Sequence, residues 1–217
     1  MRKNYLISLL ALSAMAVSAS SMAKENVTVS GSTTVLPVMQ KISEHLMQKD
    51  PSVVIELSGG GSGNGIKALN EQLTQIAMSS RKIKDKEMKA AEEKGVKPFE
   101  IPVAVDAIVP IVNPKNSLKN LSLDDLRKIY KGEIKNWKEV GGPDAPIVLV
   151  SRDTSSGTFE TWESLVMKNQ RVSPRALLQS SNGTVVQTVS RNPNAIGYVG
   201  LGYVVPIIKA VKINGIK

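Results

Sequence analysis

The chain of 217 residues has no cysteine, one histidine and only eight aromatic residues. Without cysteine there is no disulfide, no thiolate zinc ligand and no thiol nucleophile. The one histidine, His45, falls beside the apolar stripe of a helical pattern and reads as a partly exposed helix residue. A serine hydrolase would therefore lack its usual imidazole base. A metal site would lack its ligands, because the carboxylates are not clustered either. No metal and no cofactor is expected. Acidic residues are the minority, 19 against 28 Lys and Arg, for a formal charge of +9. That surplus suits nucleic acid, anionic lipid or a small anion, and most simply a solvated basic surface. The few aromatics are not interleaved with lysines as base-stacking surfaces require, so nucleic acid is not an expected partner.

Long apolar runs are also scarce. One opens the chain: MRKNYLISLLALSAMAVSASSMA places Arg2 and Lys3 before an apolar run from Tyr5 to about Val17. The run is short for a membrane span and ends in small residues, with Ser21-Met22-Ala23 fitting a cleavage site before Lys24. Residues 1–23 are thus expected to be a cleaved signal peptide. With no cysteine at the cleavage point, no lipid anchor is expected, and the mature protein should be free in the periplasm or secreted. Its charge would be about +7, because residues 1–23 carry two basic and no acidic side chains.

Past Lys24 the pattern alternates. VTVS (27–30), VVIELS (53–58) and QIAMSS (75–80) read as strands; the segments from Val35, Ile66 and Asp85 read as helices. Pro37 falls in the first turn of the first helix, where its missing N–H costs nothing, and Leu36, Met39, Ile42 and Leu46 should face a core. Such alternation argues for parallel α/β sheets. The long apolar run FEIPVAVDAIVPIVN (99–113) reads as two successive strands with a crossover between domains. SLDDLRKIY is a helix capped by Ser122, GEIKNWKEVGGPDAP a loop, NGTVVQTVSR a helix and AIGYVG a strand.

Three times a strand ends in serine and opens into a polar loop before a helix: VTVS-GSTT, IELS-GGGSGNG and VLVS-RDTSSGT. One such loop would mean only a helix cap. Three at the carboxyl ends of parallel strands bring hydroxyls, free backbone N–H groups and helix N-termini toward one place. Arg152 adds a planar fork that grips two oxygens at once. The set would enclose a small tetrahedral oxyanion. Other phosphate chemistries fail on the letters. GGSGNGIK has Ile66 where a Walker loop needs lysine, and the glycines at 59–65 never satisfy G-x-G-x-x-G. Ser79-Ser80-Arg81-Lys82 matches S-x-x-K, but the companion motifs S-D-N and K-T-G are absent from the sequence.

The blocks GSTTVLPVMQKISE, GGGSGNGIKAL, MSSRKIKDKE, VDAIVPIVNP, LSLDDLRKIYKGEIKNWKEVGG, SRDTSSGTFE and NPNAIGYVGLGYV resemble, in this order, the phosphate-binding periplasmic proteins of Pst-type ABC transporters. The resemblance runs from about Val27 to Val204. It implies a type II periplasmic-binding-protein-like α/β fold, with two lobes of mainly parallel sheet flanked by helices and a ligand cleft between them. The lobes would be residues 24–104 and 105–217. It also implies capture of inorganic phosphate and delivery to an ABC-type membrane permease, by a monomer with no catalytic activity. Carried over by position, the phosphate ligands would be Thr33, Thr34, Ser62, Arg152, Ser156, Gly157 and Thr158, with Arg81 as a second charged clamp. Some relatives accept the ligand proton on a carboxylate where this chain has Arg81, so the acceptor is expected elsewhere, at Asp106 or Asp153. Family members usually continue past this chain's INGIK ending with a segment that returns to the first lobe, so an exposed sheet edge is expected. Alternatives are a receptor for sulfate or molybdate, or a secreted serine hydrolase or phosphatase acting through Ser156.

Overall fold

A computed structural model describes residues 25–216, so the expected signal peptide lies outside the described residues. The first lobe runs β1 (Glu25–Gly31), α1 (Leu36–Lys49), β2 (Val53–Gly59), α2 (Ser62–Asn70), β3 (Ile76–Met78) and α3 (Asp85–Glu92). Its sheet has the order β2-β1-β3 and is parallel throughout, with Val29 paired to Leu57 on one side and Ile76 on the other. Each crossover is a helix, as parallel neighbours require. The glycine loop is shorter than its letters suggest, because α2 already begins at Ser62. Gly65 lets that helix lie on β1: a Cβ there would come within 2.6 Å of the Ser30 carbonyl oxygen.

Two expectations fail in this lobe. Leu36 and Met39 are half-buried, but Ile42 and Leu46 are 47% and 42% exposed. Strand β2 is the edge of a three-stranded sheet, so α1, seated over it, has sheet beneath one flank only. The run from Phe99 also yields one strand, not two: β4 (Ile108–Val112) forms, while residues 99–107 carry no ladder and Phe99, Ile101, Val103 and Val105 are exposed. Alternation alone does not make a strand; a neighbour must accept the backbone bonds, and Pro102 has no N–H to offer. Pro110 is tolerated inside β4 because its carbonyl, and hence its missing N–H, points toward the Val211 side, leaving the pairing with the other neighbour intact.

The second lobe continues with β5 (Asn120–Leu121), α4 (Leu123–Lys131), β6 (Val148–Arg152), α5 (Gly157–Leu165), β7 (Leu177–Gln179), α6 (Asn182–Arg191), β8 (Ala195–Gly200), β9 (Lys209–Ala210) and β10 (Lys212–Ile213). Its main sheet has the order β7-β6-β8-β4-β9, parallel across β7, β6 and β8 and antiparallel at β4 and β9. Apolar residues cover both faces. Val112, Leu126, Tyr130, Trp162 and Tyr198 fill one side; Ile111, Val150, Val185, Val189 and Val199 fill the other. Alternate residues of β4 and β8 therefore serve different cores, as in a sheet covered on both sides. The loop read over 132–146 holds a 3-10 turn, Trp137–Val140, whose Trp137 is fully buried and donates its indole N–H to Asn194 O at 3.0 Å.

Candidate functional site

Strand β6 ends in Arg152, which is buried, and its backbone direction fixes where the guanidinium points. Nε donates to Gln179 O (3.0 Å) and an Nη to Ser180 O (2.9 Å), so two carbonyls at the end of β7 hold the fork in one plane. Below it, Tyr198 stacks on Trp162 with ring centroids 4.1 Å apart and planes 6° apart, and Tyr130 meets Trp162 edge-on. The Tyr198 hydroxyl pairs with Ser151 Oγ (2.9 Å) and accepts from the Arg152 N–H (3.2 Å). Burial pushes the Tyr198 phenol up to about 12, so it stays neutral. Burial lowers the Arg152 pKa from its ordinary value, while the neighbouring Asp153 charge opposes that shift. A guanidinium keeps its charge at neutral pH, and here it lies in a dry setting where that charge acts strongly.

The loop after β6 leads straight into α5. Ser156 caps that helix, its Oγ accepting from Phe159 N at 3.2 Å, and Gly157 and Thr158 form the first buried turn. This turn faces the first lobe closely. A Cβ at Gly157 would collide with Ser62 Oγ and come within 2.8 Å of Ser80 Oγ. Thr158 Oγ1 lies 2.6 Å from Thr34 Oγ1. Gly63 N donates to Ser155 O (2.9 Å), and Gly61, at φ +96°, has that same residue where a side chain would stand. Tyr203 OH donates to Thr33 O (2.6 Å), and Asn182 reaches both threonine hydroxyls. The lobes therefore meet through the three loops that the sequence singles out.

Of the residues expected to bind phosphate, Thr33, Thr34, Ser62, Gly157 and Thr158 make or closely approach contacts across this junction, while Arg152 and Ser156 are buried at the β6 end and the α5 cap of the loop that enters it. Arg81 is engaged elsewhere. Its two terminal nitrogens lie on Glu87 (2.8 and 2.7 Å), and its Nε lies 2.9 Å from Glu160, off the line of a good hydrogen bond. Those hydrogen bonds to Glu87 raise the Arg81 pKa, against burial. Lys84 also pairs with Glu160, so this carboxylate of α5 holds two cations of the first lobe. Asp153 turns back on its own loop, Oδ1 accepting from Ser155 N at 2.8 Å. Asp106 accepts from Leu201 N (3.1 Å) and stands where a Cβ on Gly200 would be, next to Thr34. Ser80, Asn182 and Tyr203 were not picked out from the sequence. Ser80 lay within a motif dismissed as chance, while the other two carry no local signal, since their partners lie 148 to 170 residues away. Among the described residues no three His, Cys, Asp or Glu side chains form a group that could hold a metal ion.

Two α/β lobes meeting over a buried arginine, helix N-termini and hydroxyls define a ligand-binding protein of the bilobal kind. The chain belongs to the PBP superfamily, whose domain model matches residues 16–213. It is 34% identical over 184 residues to the phosphate-binding protein PstS of Borreliella burgdorferi, covering 82% of this chain and 64% of that protein. To PstS of Bacillus subtilis it is 34% identical over 196 residues, covering 90% and 64%. Among solved structures it is similar to a phosphate ABC transporter substrate-binding protein of Clostridium perfringens with bound phosphate. That match has a TM-score of 0.82 and 39% identity, over 89% of this chain and 77% of that one. It is also similar to an ABC-type phosphate transport receptor of Vibrio cholerae, with a TM-score of 0.64 and 34% identity, over 88% and 78%. The chain thus spans a little under two thirds of the length of these curated relatives.

Proposed function

We propose that this protein binds inorganic phosphate between its lobes and passes it to an ABC-type membrane permease. The observation that carries this is the single junction at which the Ser156–Thr158 turn of α5, just past buried Arg152, meets Thr34 and Ser62 of the other lobe. Such a site is rich in donors and holds a fixed cation, which is what a doubly charged oxyanion asks for. The relatives' names point the same way. We take the lobes as residues 24–104 and 105–217 and the protein as a periplasmic monomer freed of residues 1–23. No helix among the described residues is long and apolar enough to cross a membrane. We further propose Asp106 and Asp153 as the carboxylates nearest the ligand, and a binding role without catalysis. Ser156 Oγ is occupied as the α5 cap, and His45 stands exposed on α1.

The test is calorimetric titration of anion-stripped protein with phosphate, then sulfate and molybdate, at neutral pH. Tight one-to-one binding of phosphate with the others silent is expected, because a carboxylate facing the ligand accepts a proton that sulfate does not carry. Equal binding of sulfate would replace the phosphate reading with a general oxyanion receptor. Ester hydrolysis by highly purified protein, lost in Ser156→Ala, would replace binding with catalysis.

A further inference from the structure

Asn182, the first residue of α6, is fully buried and bonds across the junction. Its amide has an oxygen and an amino group of similar shape, and one neighbour decides which is which. Gly200 N–H can only donate, and it lies 3.2 Å from the atom facing it, which must therefore be Oδ1. The amino group is thereby turned toward the first lobe, where it donates to Thr33 Oγ1 and Thr34 Oγ1, both at 3.0 Å. The backbone N–H of Asn182 donates to the same Thr33 oxygen at 3.2 Å. A hydroxyl has two acceptor places and one hydrogen. Both places on Thr33 are filled, so that hydroxyl can only donate, and among the described residues no protein acceptor takes its hydrogen.

We infer that Asn182 is a positioning residue that fixes the polarity of Thr33, making its hydroxyl an obligate donor to the bound anion. The inference rests on reading the junction as an oxyanion site. Thr33 belongs to the first lobe and Asn182 to the second, so the polarity is set only when the lobes meet. In an open molecule the hydroxyl is free to rotate, and it would accept a hydrogen bond from the ligand as readily as donate one. Closure therefore sorts the ligand's oxygens, because Thr33 can meet a bare phosphate oxygen and cannot meet a P–OH hydrogen. The protein with Asn182 should favour the dianion over the monoanion more strongly than the same protein without it.

The experiment measures phosphate affinity by calorimetry at several pH values across the second ionisation of phosphate, for wild type and Asn182→Ala. The substitution changes no charge. The variant is expected to bind about 10- to 100-fold more weakly at the alkaline end, where a hydrogen bond to a charged oxygen is lost. Its preference for the dianion should also be smaller than in wild type. A variant that binds more weakly by the same factor at every pH would show a purely structural role and overturn the inference, with the phosphate reading intact. If Asn182→Ala does not fold, Asn182→Ser supplies the same comparison, since it also removes the amino group. Folded wild type that binds no phosphate would overturn both readings together.

Discussion

A side chain at Gly157 would meet Ser62 and Ser80, so α5 can approach the first lobe only through a residue with no Cβ. Gly157→Ala should fold, because the atoms a methyl would meet first all belong to the other lobe, but the lobes should be held apart. Phosphate affinity is expected to fall at least about 10-fold, the cost of forcing a methyl into a filled junction, with little change in the melting temperature of the ligand-free protein. Arg152→Ala should abolish measurable binding by the same calorimetric assay and remove the guanidinium donors that Gln179 O and Ser180 O accept from. Arg152 and the turn after it were legible because their chemistry is local, with four residues between the end of β6 and the start of α5. Arg81 was not. It looks like another ligand clamp until Glu87 and Glu160 appear beside it, and Glu160 comes from 79 positions along the chain. Nothing in the letters announces a pairing of that range.

Helix α4 was readable end to end. Ser122 Oγ accepts from Asp125 N at 2.9 Å, acidic residues occupy the first turn and Gly132 closes the helix at φ +78°. Ser122→Ala should cost about 1 kcal/mol, read as a lower urea midpoint with unchanged phosphate affinity. Strand β8 acts differently, because its Tyr198 holds up the β6 end that carries Arg152. Tyr198→Phe keeps the stacking on Trp162 but removes the acceptor of the Arg152 N–H and leaves the Ser151 hydroxyl only a long bond to the Arg152 carbonyl (3.4 Å), a loss of about 1–3 kcal/mol by the same measurement. The residues from Phe99 to Val105 show where element reading stops. Their alternation is that of a strand, yet a ladder needs a partner whose position is set by tertiary structure, and sequence periodicity carries no information about it. The same holds for α1, whose stripe was plain and whose cover was not.

For the molecule as a whole, the lobes are joined by an ion-pair cluster as well as by hydrogen bonds. Glu160 of α5 meets Arg81 and Lys84 of the first lobe, and these two pairs exist only with the lobes together. Glu160→Gln is expected to speed phosphate release by about 2- to 5-fold, the worth of a partly exposed pair, by stopped-flow measurement, with the effect shrinking as salt rises. Its neighbour Glu87 makes the first lobe sensitive to acid. Burial pushes its carboxyl up, but the Arg81 and Lys84 N–H donors prevail and its pKa lies below the ordinary glutamate value of 4.5. A lowered folded pKa means that the contribution is whole above 4.5 and is lost as pH falls from there through the folded value. Urea midpoints should drop across that acid range in wild type and drop less in Glu87→Gln.

The stretch from Phe99 to Ala107 is the one covalent passage between the lobes among the described residues, and it runs in the open with Phe99 itself 82% exposed. A chymotryptic cut after Phe99 would therefore sever the chain without entering either core. The two fragments would then be held only by the non-covalent bonds between the lobes, and phosphate, if it touches both as proposed, would become the adhesive between them. Nicked protein passed over a sizing column should run as one species with phosphate and as two without it, turning one chain into a pair of reporters that assemble on demand.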